Sequence, residues 1–170
     1  YGSTPSLNMA SSLELFDFDR STGQVSNGQK IDETMVFFFN FLSLEFSPDG
    51  TKLYSAAPFL TFYALPSVYQ YDLTQPTLAA IQSSKTAVGS PMLVGDIRRA
   101  PDGKVYVAAS FGLPATTLDR IDDPNLAGTA CNYMPAALAL ETGTYATTLF
   151  PTPVVYPVQD TFYNVRDTFI

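Results

Sequence analysis

Polar and apolar residues alternate with a period of two in short stretches of this chain. Lys52-Leu53-Tyr54-Ser55 and Lys104-Val105-Tyr106-Val107 show the alternation that a strand with one buried face requires. Leu13 to Phe18 and Val68 to Leu73 read as further strands, each with an aspartate, Asp19 or Asp72, at its end. Pro-Asp-Gly precedes each of the first two stretches, at Pro48, Asp49, Gly50 and at Pro101, Asp102, Gly103. Proline presets φ at the first corner of a turn, aspartate accepts a backbone N–H, and glycine supplies the positive φ of a tight hairpin. Thr22-Gly23 and Thr142-Gly143 are expected to form two more hairpin turns.

These landmarks repeat. FSPDGTKLY from Phe46 matches RAPDGKVYV from Arg99 once a residue is deleted after the glycine, and Pro48 and Pro101 lie 53 positions apart. FDFD, ending at Asp19, and YQYD, ending at Asp72, share that offset. At average composition Pro-Asp-Gly should occur roughly 0.03 times in a chain this long, so two copies in register indicate a true repeat. A third, weaker unit places LDRID, Leu118 to Asp122, where VYQYD stands in the second. Four short strands per unit of about 50 residues is the layout of a propeller blade. The pattern therefore predicts an all-β fold, a β-propeller fragment of about three four-stranded antiparallel blades. Residues 1–150 form the partial propeller, and residues 151–170 an exit strand and linker to a following module. Because a propeller closes with about four to eight blades, the rest is expected from its own propeller or another chain.

Composition narrows the function. The 170 residues are 46% hydrophobic and 14% aromatic, enough for a packed core, and 13 Pro with 10 Gly favour strands and turns over long helices. A net charge of −7 and a pI near 4.3 oppose binding to phosphate backbones and anionic lipid, so no nucleic acid and no membrane insertion are expected. No apolar run reaches the length of a membrane span, and YGSTPSLNMASS lacks the order of a signal peptide. Cys131 is the sole cysteine and histidine is absent, which removes the usual zinc sites and both Ser-His-Asp and Cys-His catalysis. No cofactor is expected.

LELFDFDRSTGQVSN, LEFSPDGTKLYSAA, VYQYDL, APDGKVYVAAS and DDPNLAGTACNYMPAALAL, in that order, resemble the propeller of large Bacteroidetes surface proteins. These are gliding-motility-associated adhesins with PKD or immunoglobulin-like domains and a type IX secretion sorting domain. The resemblance covers roughly residues 11 to 150, and Pro124-Asn125 to Cys131-Asn132-Tyr133 is its most specific part. The long aromatic run Phe37-Phe38-Phe39 with Phe41 departs from it. The resemblance implies a non-catalytic, secreted or cell-surface scaffold for adhesion, display or assembly, with a secretion-machinery component or a glycan as further partners. The alternative is a propeller-fold hydrolase or lyase acting on polysaccharide.

Several residues merit weighing as sites. Asp17, Asp19 and Ser21 fall at alternate positions as in a calcium loop, but the glycine is one place late and Gly28 stands where a closing glutamate belongs, so the reading favours an Asp-capped turn. Asp119, Asp122 and Asp123 beside Arg120 offer a carboxylate cluster, although alternate strand residues face opposite sides. Phe37 to Phe41 reads as packing between blades rather than a stacking platform, with Tyr63, Tyr69 and Tyr133 left as aromatic ligands for sugar. Cys131, among small and apolar residues, is expected to be buried or paired with a cysteine outside the chain. Arg98-Arg99, the only adjacent basic pair, is expected to form a salt bridge at a blade edge.

Overall fold

A computed structural model describes residues 10–35, 41–57, 67–91, 93–110 and 112–150. Phe37 to Phe39, Tyr63 and residues 151–170 lie outside the described residues. The fold is all-β, in three antiparallel sheets. The first is a hairpin of β1 (Ala10–Asp19) and β2 (Gln24–Met35). The second is a meander of β3 (Ser43–Phe46), β4 (Lys52–Ala57), β5 (Ser67–Asp72) and β6 (Thr86–Gly89). The third is a meander of β7 (Ile97–Arg99), β8 (Val105–Val107), β9 (Thr117–Ile121) and β10 (Tyr133–Ala139). Two sheets are therefore four-stranded, and the first expected unit has two strands among the described residues. Its β1 and β2 stand where the third and fourth strands of each meander stand, because Asp19 ends β1 as Asp72 ends β5.

The Pro-Asp-Gly turns occupy one structural place, between the first and second strands of each meander. Gly50 N–H donates to Ser47 O at 2.9 Å and Gly103 N–H to Ala100 O at 3.0 Å. Both glycines sit at positive φ, +73° and +80°, where a Cβ is disfavoured. Thr22-Gly23 closes the β1–β2 hairpin, with Gly23 N–H on Asp19 O at 2.7 Å. Thr142-Gly143 also turns but does not join two paired strands. The chain beyond it runs back to bridge Ala146 with Ala115 and to place Thr148 O on Asp96 N–H.

The connection between third and fourth strands differs in the two meanders. In the first it holds α1 (Leu78–Ser83), capped by Thr77, whose hydroxyl accepts from Ala80 N–H at 3.2 Å. In the second it holds one 3-10 turn, Gly128–Cys131, ended by Asn132 in the left-handed region. Both reach toward the preceding sheet. Leu78 and Ile81 of α1 pack with Leu13 and Ile31 of the hairpin, and Cys131 is buried in the core between the meanders.

Strand alternation gives each sheet two faces, and the sheets stack unlike face to unlike face. On the first meander, one face carries Tyr54, Ala56, Val68 and Gln70, and we call it the leading face. The other, the trailing face, carries Leu53, Tyr69 and Tyr71. The leading face packs on Ile97, Val105, Val107 and Ile121 of the second meander. By the repeat those residues are trailing: Val105 corresponds to Leu53, and Ile121 to Tyr71. The trailing face of the first meander packs in turn on Leu13 and Leu15 of β1. The first meander is thus covered on both sides, as Tyr54, Tyr71 and Val68, all at 0% exposure, attest.

Candidate functional site

The most developed concavity among the described residues lies on the leading face of the second meander. It is a cleft of about 340 Å³ lined by Glu45, Arg98, Arg99, Ala100, Tyr106, Leu118, Leu138 and Phe150. Register accounts for the lining. Arg98, Tyr106 and Arg120 stand opposite one another across β7, β8 and β9, and Leu118 faces Leu138 across β9 and β10. Guanidinium groups therefore border an aliphatic floor.

Each polar group here is held by a neighbour. Arg98 Nε donates to Asp96 Oδ2 at 3.1 Å, and Tyr106 hydroxyl donates to Asp102 Oδ2 at 2.9 Å. Burial, followed by that aspartate, raises the Tyr106 phenol above its ordinary pKa of 10.0, which leaves it a hydrogen-bond donor at neutral pH and no base. Arg120 grips Asp122 with two nitrogens, Nε at 2.6 Å and an Nη at 3.1 Å, and Lys104 adds a third contact. Arg120 first and Lys104 second hold the Asp122 carboxyl below its ordinary range.

The carboxylate cluster weighed from the sequence is not a pair facing a substrate. Asp122 shares its side of the sheet with Arg120. Asp119 points the other way, 4% exposed, and accepts from Tyr133 hydroxyl and from Ala136 N–H. Asp123 shapes the following turn, its N–H on Cys131 O and its carbonyl accepting from Leu126 N–H. Burial raises the Tyr133 phenol, and Asp119 adds to the rise.

Asp17 and Asp19 likewise serve the hairpin. Asp17 accepts from Asn27 Nδ2 at 2.7 Å. Asp19 accepts from the hydroxyls of Ser21 and Thr22 and from both their backbone amides, and these bonds lower its pKa to about 2. Among the described residues no three His, Cys, Asp or Glu side chains come together to hold a metal ion. No helix of the described residues is long and apolar enough to cross a membrane.

No family model matches this chain, and no curated protein resembles it significantly.

The remaining sequence candidates fall into the sheet junctions. Tyr69 lies under the Lys85 ammonium, 4.5 Å from ring centroid to Nζ, and Phe41 packs beside it against the hairpin side of the first meander. Cys131 is fully buried with a free thiol, and burial raises its pKa. Arg98 forms the ion pair with Asp96, whereas Arg99 N–H binds Glu45 Oε2 at 3.0 Å across the junction of the meanders.

Two junction features escaped the sequence reading. One is Asp96, 2% exposed, which accepts from Ser43 hydroxyl, Ile97 N–H, Arg98 and Phe150 N–H. Extending the 53-residue repeat backward from the turns aligns Ser43 with Asp96, a signal that was present. The other is a clamp on the loop after β9. Tyr54 hydroxyl donates to Pro124 O at 2.8 Å, Gln70 Nε2 donates to Tyr54 hydroxyl and Leu126 O, and Gln70 Oε1 accepts from Gly128 N–H. No local pattern in the chain announces that clamp.

Proposed function

We propose that this chain is a segment of a β-propeller with a non-catalytic role, a secreted or cell-surface scaffold for adhesion, display or protein assembly of the type IX secretion substrate kind. The observation that carries the architecture is the repeated order of stacking, leading face on trailing face, between sheets related by one 53-residue repeat. Such a stack has no internal stop, which is how propellers add blades. The surface role and the secretion route rest on the sequence resemblance.

The chemistry of the described carboxylates supports a scaffold. Both fully buried ones, Asp96 and Asp119, are engaged by several donors from neighbouring strands. Asp122, the partner that Asp119 would need for glycoside hydrolysis, lies on the other side of β9 and is ion-paired. Screening the intact protein against polysaccharides tests this reading, with a glycan array run beside it. The expected outcome is no turnover. Hydrolysis or elimination abolished by Asp119→Asn or Asp122→Asn would establish the enzyme instead.

A further inference from the structure

The stack leaves one face of each kind uncovered on the same molecule. On the hairpin it is the trailing face, where Phe16 and Phe18 are 54% and 63% exposed, on the side of β1 opposite Leu13 and Leu15. By the 53-residue offset these two phenylalanines stand where Tyr69 and Tyr71 stand, and Tyr71 is fully covered by the hairpin. On the second meander it is the leading face with its cleft. Leu118 there corresponds to Val68, which is fully covered by the second meander.

We infer that a second copy of this chain docks head to tail, its Phe16 and Phe18 seated on the Leu118–Leu138 floor of the cleft. The inference rests on the stacking order argued under the proposed function. Two observations select this occupant. First, the contact continues an interface that the chain already makes twice, with aromatic positions of a trailing face against aliphatic positions of a leading face. Second, the charges match: Glu14 alternates with Phe16 on the exposed hairpin face, and Arg98 borders the cleft with 42% of its side chain exposed. The contact is heterologous, so it leaves one free face at each end and propagates into a ring or a filament.

Sedimentation velocity over a wide concentration range tests this on the unsubstituted chain, Phe16→Glu/Phe18→Glu, and Leu138→Glu. All three substituted positions are exposed, and cooperative melting verifies folding. The unsubstituted chain should associate with rising concentration, and each variant alone at least about a hundredfold more weakly, as expected for a charge placed at a central contact. An equimolar mixture of the two variants should recover association and stop at a 1:1 dimer, since each supplies the face the other lacks. Glu14→Lys should weaken association at low salt. Failure of the mixture to dimerise, or association indifferent to both variants, overturns the inference. A monomer at all concentrations overturns it too, and amide exchange separates that failure from a wider one. Protected β3 to β10 amides in that monomer leave the stacked fold standing, whereas unprotected amides in both meanders overturn the stack itself.

Discussion

Tyr54 and Tyr106 hold the same repeat position, two residues after the lysine that opens the second strand of each meander, yet their surroundings differ. Tyr54 is fully buried, and its hydroxyl bridges Gln70 and the carbonyl of Pro124 in the next sheet. Tyr106 is partly exposed, and its hydroxyl reaches only as far as Asp102 in its own hairpin. The repeat thus encodes how each sheet folds, and the neighbour laid on it decides how much each position contributes. Tyr54→Ala should cost about 3–5 kcal/mol, the range for emptying a large aromatic site, and Tyr106→Ala less than about 1 kcal/mol. Urea denaturation of the two variants measures the difference. Equal losses would break the comparison and with it the claim that only the first meander is covered on both sides.

The same contrast explains what was readable in the chain. The Pro-Asp-Gly turns, the strands that follow them and the aspartates ending β1, β5 and β9 depend on residues a few positions apart, so local chemistry suffices. The offset between Asp19 and Asp72 also placed β1 at the position of a third strand, although the reading expected four strands around it. Helix α1 was not read because a six-residue helix held by a threonine cap has too few turns to show a period. The use of Asp119 was out of reach for another reason. Alternation says that Asp119 and Asp122 part company across β9, but only the placement of Tyr133 and Arg120 shows where each carboxylate goes. The Tyr54–Gln70 clamp joins residues more than fifty positions apart and has no local trace.

A smaller pair of substitutions sharpens the comparison. Gln70 and Arg120 are also repeat equivalents, two residues before the aspartates that end β5 and β9. Gln70 is 2% exposed and makes three hydrogen bonds, two of them to the loop of the second meander. Arg120 is partly exposed and bonds to Asp122 two residues away. Gln70→Ala should cost about 1–3 kcal/mol, because Leu126 O and Gly128 N–H lose their buried partner, whereas Arg120→Ala should change stability by less than about 1 kcal/mol. Thermal melting reads both. A larger loss for Arg120→Ala would mean that the outer face of the second meander is also a load-carrying junction.

The smallest effect compares the aspartates that end the third strands. Ser21 and Thr22 hold Asp19 at a pKa of about 2, against an ordinary value of 3.8. The Thr74 hydroxyl is the largest influence on Asp72, whose pKa is lowered further by Gln75 and Lys52 against an opposing effect of burial. Arg120 and Lys104 lower Asp122. In each case the folded protein prefers the ionised form more than the unfolded chain does. The contribution to stability is therefore complete above the unfolded pKa, near 3.8, and is lost as pH falls through the lower folded value. Melting temperature should be level from pH 7 to pH 5 and should decline below pH 4. Asp19→Asn should flatten that acid decline slightly, and Asp72→Asn should flatten it more, because Asp72 also faces Lys52, whose ammonium is 3.0 Å away and 7% exposed. If the two variants change the acid limb equally, the ion pair between the second and third strands adds nothing to the turn that all three units share.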